Sequence, residues 1–249
     1  MQLGQYELRQ FGDPSGLASM AASDWVEWMR EPSEATYMHV ALSGGRISIP
    51  FLRAAGGLLR CSPELLKPLN VFWADERCVP PDHPDSNYGN FWKTISQVMG
   101  INVMHTFRFR GEDTPSEAAR EMSMTLQSKL PLNASGVPVF DLVFLGMGED
   151  GHVASLFPQN MTADLERKAF TFELFAPKPP PHRLTLSYRV LHAAKHVWVL
   201  VSGAGKKSSL TAALQSQDNN PLSQVMQGRE LTRIYTDLSL DADDYREHI

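Results

Sequence analysis

The feature that most constrains the fold is an apolar run, from Val139 to Leu145, that ends abruptly in glycines. A short apolar run of this kind predicts a buried strand. The segment 146–152 follows at once and contains three glycines, two acids and one histidine. In α/β proteins, catalytic groups lie on loops that leave the carboxyl ends of buried strands. The run therefore predicts an α/β fold with a candidate site on this loop.

The rest of the chain repeats this alternation of short apolar runs and helical segments, which predicts βαβ units around a mostly parallel sheet. Strands are predicted at 37–42, 69–74, 139–145, 170–174, 184–188, 197–201 and 231–235. Helices are predicted at 49–59, 86–98, 115–128 and 208–214. Thr114 is expected to cap the third helix, with Pro115 in its first turn and Glu117 reaching back.

The proline cluster at 177–181 is the clearest break in this pattern, and we interpret it as a stiff loop. The prediction is a single Rossmann-like α/β domain over 1–249, with a mostly parallel sheet flanked by helices. At 249 residues with 43% apolar content, the chain is long and apolar enough to bury a sizeable core.

Charge and cysteine content exclude several functional classes. The net charge of −5 argues against a nucleic-acid partner, which requires a basic surface. Two cysteines argue against a disulfide framework and favour a reducing cytoplasm. No signal peptide is recognisable and no apolar run is long enough to span a bilayer, so we expect no membrane partner.

A possible anion site follows the first predicted strand, at Ser43, Gly44 and Gly45. Glycines allow backbone N–H groups to approach an anion, and the next helix adds a favourable dipole. The segment is neither a Walker A motif nor a dinucleotide-binding fingerprint. A plain tight turn is an equally good interpretation of these residues alone.

Charged residues also flank other predicted strands. Asp75 and Arg77 follow the second strand, Arg183 leads into a later one, and Lys206 follows the strand at 197–201. Each one taken singly is more typical of a solvated surface charge. Because strand-end loops meet at one edge of a parallel sheet, together they predict a crevice that binds an anionic metabolite.

His152 is the candidate proton-transfer group, since histidine titrates near neutral pH. A neighbouring acid, Asp150 or Glu149, can orient the ring. The sequence contains neither a ligand cluster at metal spacing nor a G-x-S-x-G nucleophile motif.

Several of these segments, in this order, resemble the 6-phosphogluconolactonase family. The matching segments are 42–45, 73–80 with 86–87, 146–158, 183–186 and 203–206. The resemblance implies a fold similar to glucosamine-6-phosphate deaminase. It implies hydrolysis of 6-phospho-D-glucono-1,5-lactone to 6-phosphogluconate, the second step of the oxidative pentose phosphate pathway. No metal or organic cofactor is expected, and the protein is expected to be a monomer or small homo-oligomer.

The resemblance also implies roles for the residues. His152 is expected to act as general base, with Asp150 orienting the ring or contacting a sugar hydroxyl. The phosphate is expected on the backbone of Ser43, Gly44 and Gly45, held by Arg183 and Lys206. Asp75 and Arg77 are further substrate-binding candidates. Arg77 is expected to contact either the phosphate or the lactone end of the substrate.

Two positions depart from the family pattern. Val153 replaces the usual threonine after the histidine, at a position that can simply pack. Arg46 stands in the phosphate loop where a Ser/Thr-Pro pair often follows sooner, and it either adds to anion binding or is solvated.

Two rival functions require features that this sequence lacks. A glucosamine-6-phosphate deaminase would carry a tyrosine where Arg77 stands and a glutamate where Phe157 stands. A non-catalytic sugar-phosphate sensor would carry an N-terminal DNA-binding helix pair, for which the residues before Tyr37 are too few and too acidic.

Overall fold

The computed structural model describes residues 5–31, 35–99, 105–215, 220–241 and 244. The strands are β1 (Gln5–Gln10), β2 (Met38–Leu42), β3 (Leu69–Trp73), β4 (Asp75–Arg77), β5 (His105–Phe107), β6 (Leu142–Gly146), β7 (Thr171–Phe175), β8 (His182–Leu186), β9 (His196–Val201) and β10 (Leu231–Thr236). The α-helices are α1 (Pro14–Arg30), α2 (Ser48–Leu59), α3 (Asn87–Met99), α4 (Pro115–Lys129), α5 (Met161–Leu165), α6 (Tyr188–Ala193), α7 (Lys207–Gln215) and α8 (Pro221–Gln227).

Seven strands form a parallel sheet in the order β1-β10-β9-β6-β2-β3-β5. From β2 the chain moves to β3 and β5 on one side, and it later adds β6, β9 and β10 on the other. The direction of winding therefore reverses between β2 and β6. In open α/β sheets the crevice beyond the strand ends at such a reversal is the usual ligand site.

The central strands are apolar because helices cover both faces of the sheet. Every residue of β2 and β3 is buried, as is typical of parallel strands. On one face, Trp25 of α1 and Phe51 of α2 pack against Phe144 of β6, with ring centroids 5.3 and 4.7 Å from it. These contacts pack α1 and α2 against one face of β6.

A second, three-stranded antiparallel sheet of order β4-β8-β7 lies beside the first. The sequence indicated a loop at 75–77, and that interpretation was wrong. These three residues pair with β8, a strand more than 100 positions away, with Arg77 directly opposite Arg183. A three-residue polar strand has no apolar periodicity, so local sequence does not reveal it.

The predicted α/β class and the mostly parallel sheet are confirmed. Each predicted strand and helix is present within a few residues of its predicted bounds. The strand predicted at 139–145 is Leu142–Gly146, and the one predicted at 184–188 is His182–Leu186, so that Tyr188 instead begins α6. Elements that the sequence did not indicate are β1, α1, β4, β5, α5, α6 and α8. The single-domain organisation over 1–249 stays a prediction.

The start of α4 differs in detail from the expected cap. The helix begins at Pro115 as predicted, but the Thr114 side chain does not cap a backbone N–H group. The Thr114 hydroxyl instead donates to the Glu117 carboxylate. In the part of the chain that the structure describes, no helix is both long and apolar enough to cross a bilayer.

Candidate active site

A cleft opens where the winding of the main sheet reverses. Its walls come from the carboxyl ends of β2, β3 and β6, from the turn after β9, and from β4 and β8 of the small sheet. The lining residues are Ser43, Gly44, Gly45, Arg46, Ile47, Asp75, Arg77, Asn87, Gly146, Met147, His152, Ala154, Arg183 and Lys206. All the predicted site residues except Asp150 are in this set.

His152 is held by the loop that follows β6. The backbone N–H of Gly148 donates to the His152 carbonyl at 2.8 Å, which closes the loop into a tight turn. Nδ1 of His152 lies 2.5 Å from Oδ1 of Asp150. Because Asp150 occupies Nδ1, Nε2 is the nitrogen that can exchange a proton with a molecule in the cleft. Asp150, and not Glu149, is the acid that orients the ring.

Asp150 is a stronger acid than an ordinary aspartate. Burial raises the pKa of Asp150, but the hydrogen bond and charge of His152, together with those of Lys178, lower it by more. The net pKa of Asp150 therefore lies well below the usual range. Nζ of Lys178 is 3.0 Å from Oδ2 of Asp150. The carboxylate therefore stays ionised beside the imidazole at any pH near neutrality.

The two residues that distinguish this loop from its relatives are both packed. Phe157 is buried, and its ring lies against His152 with centroids 4.6 Å apart. Val153 is fully buried, and its backbone bridges to Met147 and Leu156. At this position the Val153 side chain packs in the core. Phe157 presents an apolar face to the ring where a deaminase would carry a carboxylate.

Asp75 is buried at the floor of the cleft and has hydrogen-bond partners of its own. Its carboxylate accepts from the Ser155 hydroxyl at 2.8 Å and from Asn87 Nδ2 at 3.3 Å. These bonds join the loop after β6 to the start of α3. Nothing in the local sequence singles out Ser155 or Asn87 beyond their place in the resembling motifs.

Arg77 and Arg183 face each other across the small sheet. Arg183 is 7% exposed, and its guanidinium donates to the carbonyls of Pro180 at 2.6 Å and Pro179 at 3.2 Å. Burial and then the charge of Arg77 lower its pKa. Directly opposed like charges are unfavourable in a sheet unless an anion lies between them. Nε of Arg77 is buried and has no hydrogen-bond partner among the described residues.

The loop after β2 presents backbone to the same cleft. The side chain of Asn87 lies so close to Gly44 that a Cβ there would be 1.8 Å from its Oδ1, so only glycine fits. The Ser43 hydroxyl is buried without a partner in the described part of the chain. Lys206 stands across from this loop, and burial, followed by the charge of Arg46, lowers its pKa.

Arg46 and Glu149 form a weak pair at the rim. Their closest charged atoms are 3.8 Å apart, and the Arg46 side chain is 92% exposed. Four cations therefore surround the cleft, with Asp75 as the one carboxylate in its described lining. This charge distribution is suited to an anionic ligand. In the described ranges, no group of three or more His, Cys, Asp or Glu side chains is positioned to hold a metal ion.

Comparison with known proteins agrees with this geometry. The sequence model of the family described as glucosamine-6-phosphate isomerases/6-phosphogluconolactonase matches residues 12–234. A probable 6-phosphogluconolactonase 2 of Oryza sativa subsp. indica is 29% identical over 216 residues, which cover 80% of this chain and 75% of that protein. A probable chloroplastic 6-phosphogluconolactonase 3 from the same source is 34% identical over 212 residues, covering 80% and 63% of the two chains.

Solved structures give the same result. The 6-phosphogluconolactonase from Trypanosoma brucei superposes with a TM-score of 0.78 at 27% identity, over 94% of this chain and 97% of that one. The family match extends over all four main-sheet strands that border the cleft. The chain therefore belongs to the glucosamine-6-phosphate isomerase/6-phosphogluconolactonase family.

Proposed function

We propose that this protein hydrolyses 6-phospho-D-glucono-1,5-lactone to 6-phosphogluconate. The observation that carries the proposal is the His152–Asp150 pair, joined at 2.5 Å, at the edge of a cleft that four cations surround. The relatives named as 6-phosphogluconolactonases in rice and Trypanosoma brucei support the same reaction.

In the proposed mechanism His152 is the general base. Nε2 removes a proton from a water molecule as the water oxygen attacks the lactone carbonyl carbon. The resulting imidazolium is stabilised by the ionised Asp150 carboxylate at Nδ1. Collapse of the tetrahedral intermediate breaks the bond to the ring oxygen, and the leaving alkoxide takes the proton back from His152. Atoms and charge balance without a covalent intermediate.

The cations of the cleft are suited to different parts of the substrate. The backbone of Ser43, Gly44 and Gly45 is suited to the phosphate, with Arg183 and Lys206 supplying positive charge. Arg77 lies directly opposite Arg183, within reach of either the phosphate or the oxyanion. Asp75 is suited to position Ser155 and Asn87, and any contact with substrate is an additional role.

The decisive experiment is lactone opening followed by acid release, with spontaneous hydrolysis subtracted. We expect His152→Ala to lower kcat by about 100-fold or more, the usual contribution of a general base. His105→Ala, at an exposed histidine on edge strand β5, is the matched control and should keep wild-type turnover. Near-normal turnover in His152→Ala would refute the assigned role.

Two assays test the rival functions. Ammonia release from glucosamine 6-phosphate by the wild-type protein would favour a deaminase. Tight binding of 6-phosphogluconate without any acceleration of lactone opening would favour a sensor. The packing of Phe157 against His152 argues against the deaminase, because that position supplies no second acid or base.

We also propose a cytoplasmic protein that is a monomer or small homo-oligomer. Two free cysteines, Cys61 and Cys78, support a reducing compartment. Some relatives are named chloroplastic, so cell fractionation is the appropriate test of location. Light scattering after size-exclusion chromatography gives the oligomeric state.

A further inference from the structure

The ion pair between Lys178 and Asp150 has no part in the mechanism above. Lys178 lies between β7 and β8, in the proline cluster 177–181, and its Nζ is 3.0 Å from Oδ2 of Asp150. The other oxygen of the same carboxylate, Oδ1, holds Nδ1 of His152. The side chains are partly exposed, 46% for Lys178 and 28% for Asp150. Lysine, carboxylate and imidazole thus form a continuous chain of contacts that ends at the cleft.

We propose that Lys178 is a positioning residue for the base: it fixes the Asp150 carboxylate against Nδ1 of His152 and places a positive charge behind the pair. This inference rests on the proposed function for its effect on turnover. Its effect on the titration of His152 is independent of the reaction.

The loop that carries Lys178 is fixed by its own backbone hydrogen bond and by Arg183, which lines the cleft. The N–H of Ala176 donates to the Pro181 carbonyl at 2.6 Å, which closes the loop on itself. The buried Arg183 guanidinium donates to the carbonyls of Pro180 and Pro179. Proline rings also restrict the backbone here. An exposed ion pair is usually weak because two long side chains lose freedom, but here one partner is carried by a constrained loop.

The second contact sets the orientation of the carboxylate. With Oδ2 held by Lys178, rotation of the carboxylate group would break an ion pair, so Oδ1 stays directed at Nδ1. A base held in one orientation presents Nε2 to the cleft in one direction. Loss of Lys178 should therefore lower kcat more than it changes KM, because neither Lys178 nor Asp150 is among the described residues that line the cleft.

The charge of Lys178 acts in a definite direction. A positive charge beyond the carboxylate opposes the addition of a second positive charge on the imidazole. When the Lys178 charge is removed, His152 is the one remaining partner of the Asp150 carboxylate in this chain of contacts. The negative carboxylate then favours the positively charged imidazolium form of His152. The protonated, inactive form should then persist to higher pH.

The other charged groups near the His152 ring must remain unchanged when Lys178 is replaced. Asp150 is on the same loop as His152, and Phe157 covers one face of the ring without charge. The charged groups that share the cleft from the neighbouring elements are Arg46, Asp75, Arg77, Arg183 and Lys206. None of these contacts Lys178 in the described ion pairs, so a Lys178 variant leaves them in place.

The test compares Lys178→Met, which keeps the apolar stem, with the conservative Lys178→Arg. Lys168→Met, at an exposed lysine in the same part of the chain, is the matched control. For each protein, kcat and KM are measured across pH, and His152 is titrated by its ring proton signal in NMR, assigned with His152→Ala. We expect Lys178→Met to move the acid limb and the NMR midpoint to higher pH by about half a unit or more. Its kcat should fall several-fold, with KM within about twofold of wild type.

Lys178→Arg and Lys168→Met should keep the wild-type profile. An unmoved NMR midpoint in Lys178→Met would overturn the inference. So would a large rise in KM with an unmoved acid limb, which would instead make Lys178 a substrate contact. A moved NMR midpoint in a protein without lactonase activity would uphold the role of Lys178 and reject the proposed function, so the two failures are distinguishable.

Discussion

At the scale of single residues, the contact between His152 and Asp150, the proposed catalytic pair, depends on a residue without a side chain. Gly148 lies under His152, and a Cβ there would be 2.0 Å from Nδ1 of the ring and 2.6 Å from Oδ1 of Asp150. Neither atom can move away without breaking the bond between His152 and Asp150. The glycine is therefore required by the close approach of the His152 and Asp150 side chains.

We expect Gly148→Ala to lower kcat at least about 10-fold, since a misplaced base loses much of its effect. KM should change little, because the residues proposed to bind the phosphate lie on other loops. Steady-state lactone hydrolysis measures both. Gly57→Ala, on α2 with open space around its Cβ position, is the control and should be neutral or slightly stabilising. Wild-type kcat in Gly148→Ala would contradict this steric constraint on the pair.

The sequence placed two acids beside His152 and could not choose between them. The structure assigns Asp150, because the turn closed by Gly148 directs Asp150 back to the ring. Glu149 is directed away, where its carbonyl accepts from the Ser209 hydroxyl at 2.5 Å and its side chain lies over Gly205. Those partners come from α7 and the turn before it, which are distant in sequence.

At the scale of elements, Glu76 holds α3 in place. Its carboxylate accepts the N–H groups of Asn87 at 2.8 Å and Tyr88 at 2.9 Å, and also that of Arg77. Burial raises the pKa of Glu76 despite these hydrogen bonds. A buried carboxylate at the first turn satisfies helix N–H groups that have no partner within the helix. Its role is to fix Asn87 beside the cleft.

We expect Glu76→Ala to lower the free energy of unfolding by about 2–4 kcal/mol, because several buried N–H groups lose their acceptor. Glu76→Gln keeps one acceptor oxygen and should cost less. Chemical denaturation followed by circular dichroism gives these values. Glu117→Ala, in the exposed first turn of α4, is the control, with an expected cost below about 1 kcal/mol. Equal costs for Glu76→Ala and Glu117→Ala would show that the cap does not matter.

The sequence predicted the buried central strands of the parallel sheet well, but it did not indicate the edge strands β1 and β5 or strand β4 of the small sheet. β2, β3 and β9 are short apolar runs because helices cover both faces, and that property is local. β4 is a strand because β8 pairs with it. The same reason explains why local sequence does not reveal β1, which lies at the sheet edge with half-buried residues. Local composition indicates whether a strand is buried, whereas pairing depends on the strand that lies next to it.

At the scale of the whole molecule, stability should depend on two histidines, His39, which is buried, and His192, which is half-buried. Burial is the largest cause that lowers the pKa of His39 and of His192 below the ordinary value of 6.5. A histidine with a lowered pKa in the folded state binds fewer protons than it does unfolded. Stability is therefore present above about pH 6.5 and is lost as the pH falls below it.

We expect the free energy of unfolding to fall between about pH 7 and pH 5.5, a window above the range in which ordinary carboxylates titrate. Urea denaturation at each pH measures it. His39→Gln should flatten the profile, and His182→Gln, at an exposed histidine, should not. Glu76, whose pKa is raised, acts in the opposite direction but equally in all variants, so the difference isolates His39. An identical slope in wild type and His39→Gln would contradict the prediction.

The sequence by itself determined the α/β class, the buried parallel strands and the candidate base, because burial on both faces and glycine-rich strand ends leave local patterns. The tertiary structure alone decided which groups meet. It set Asp150 rather than Glu149 against His152, placed Arg77 opposite Arg183, and brought Lys178 to the back of the His152–Asp150 pair. Each of these contacts depends on the strand order of the two sheets or on the closing of a turn. The distances between these side chains are set by packing between segments, and no local sequence pattern records that packing.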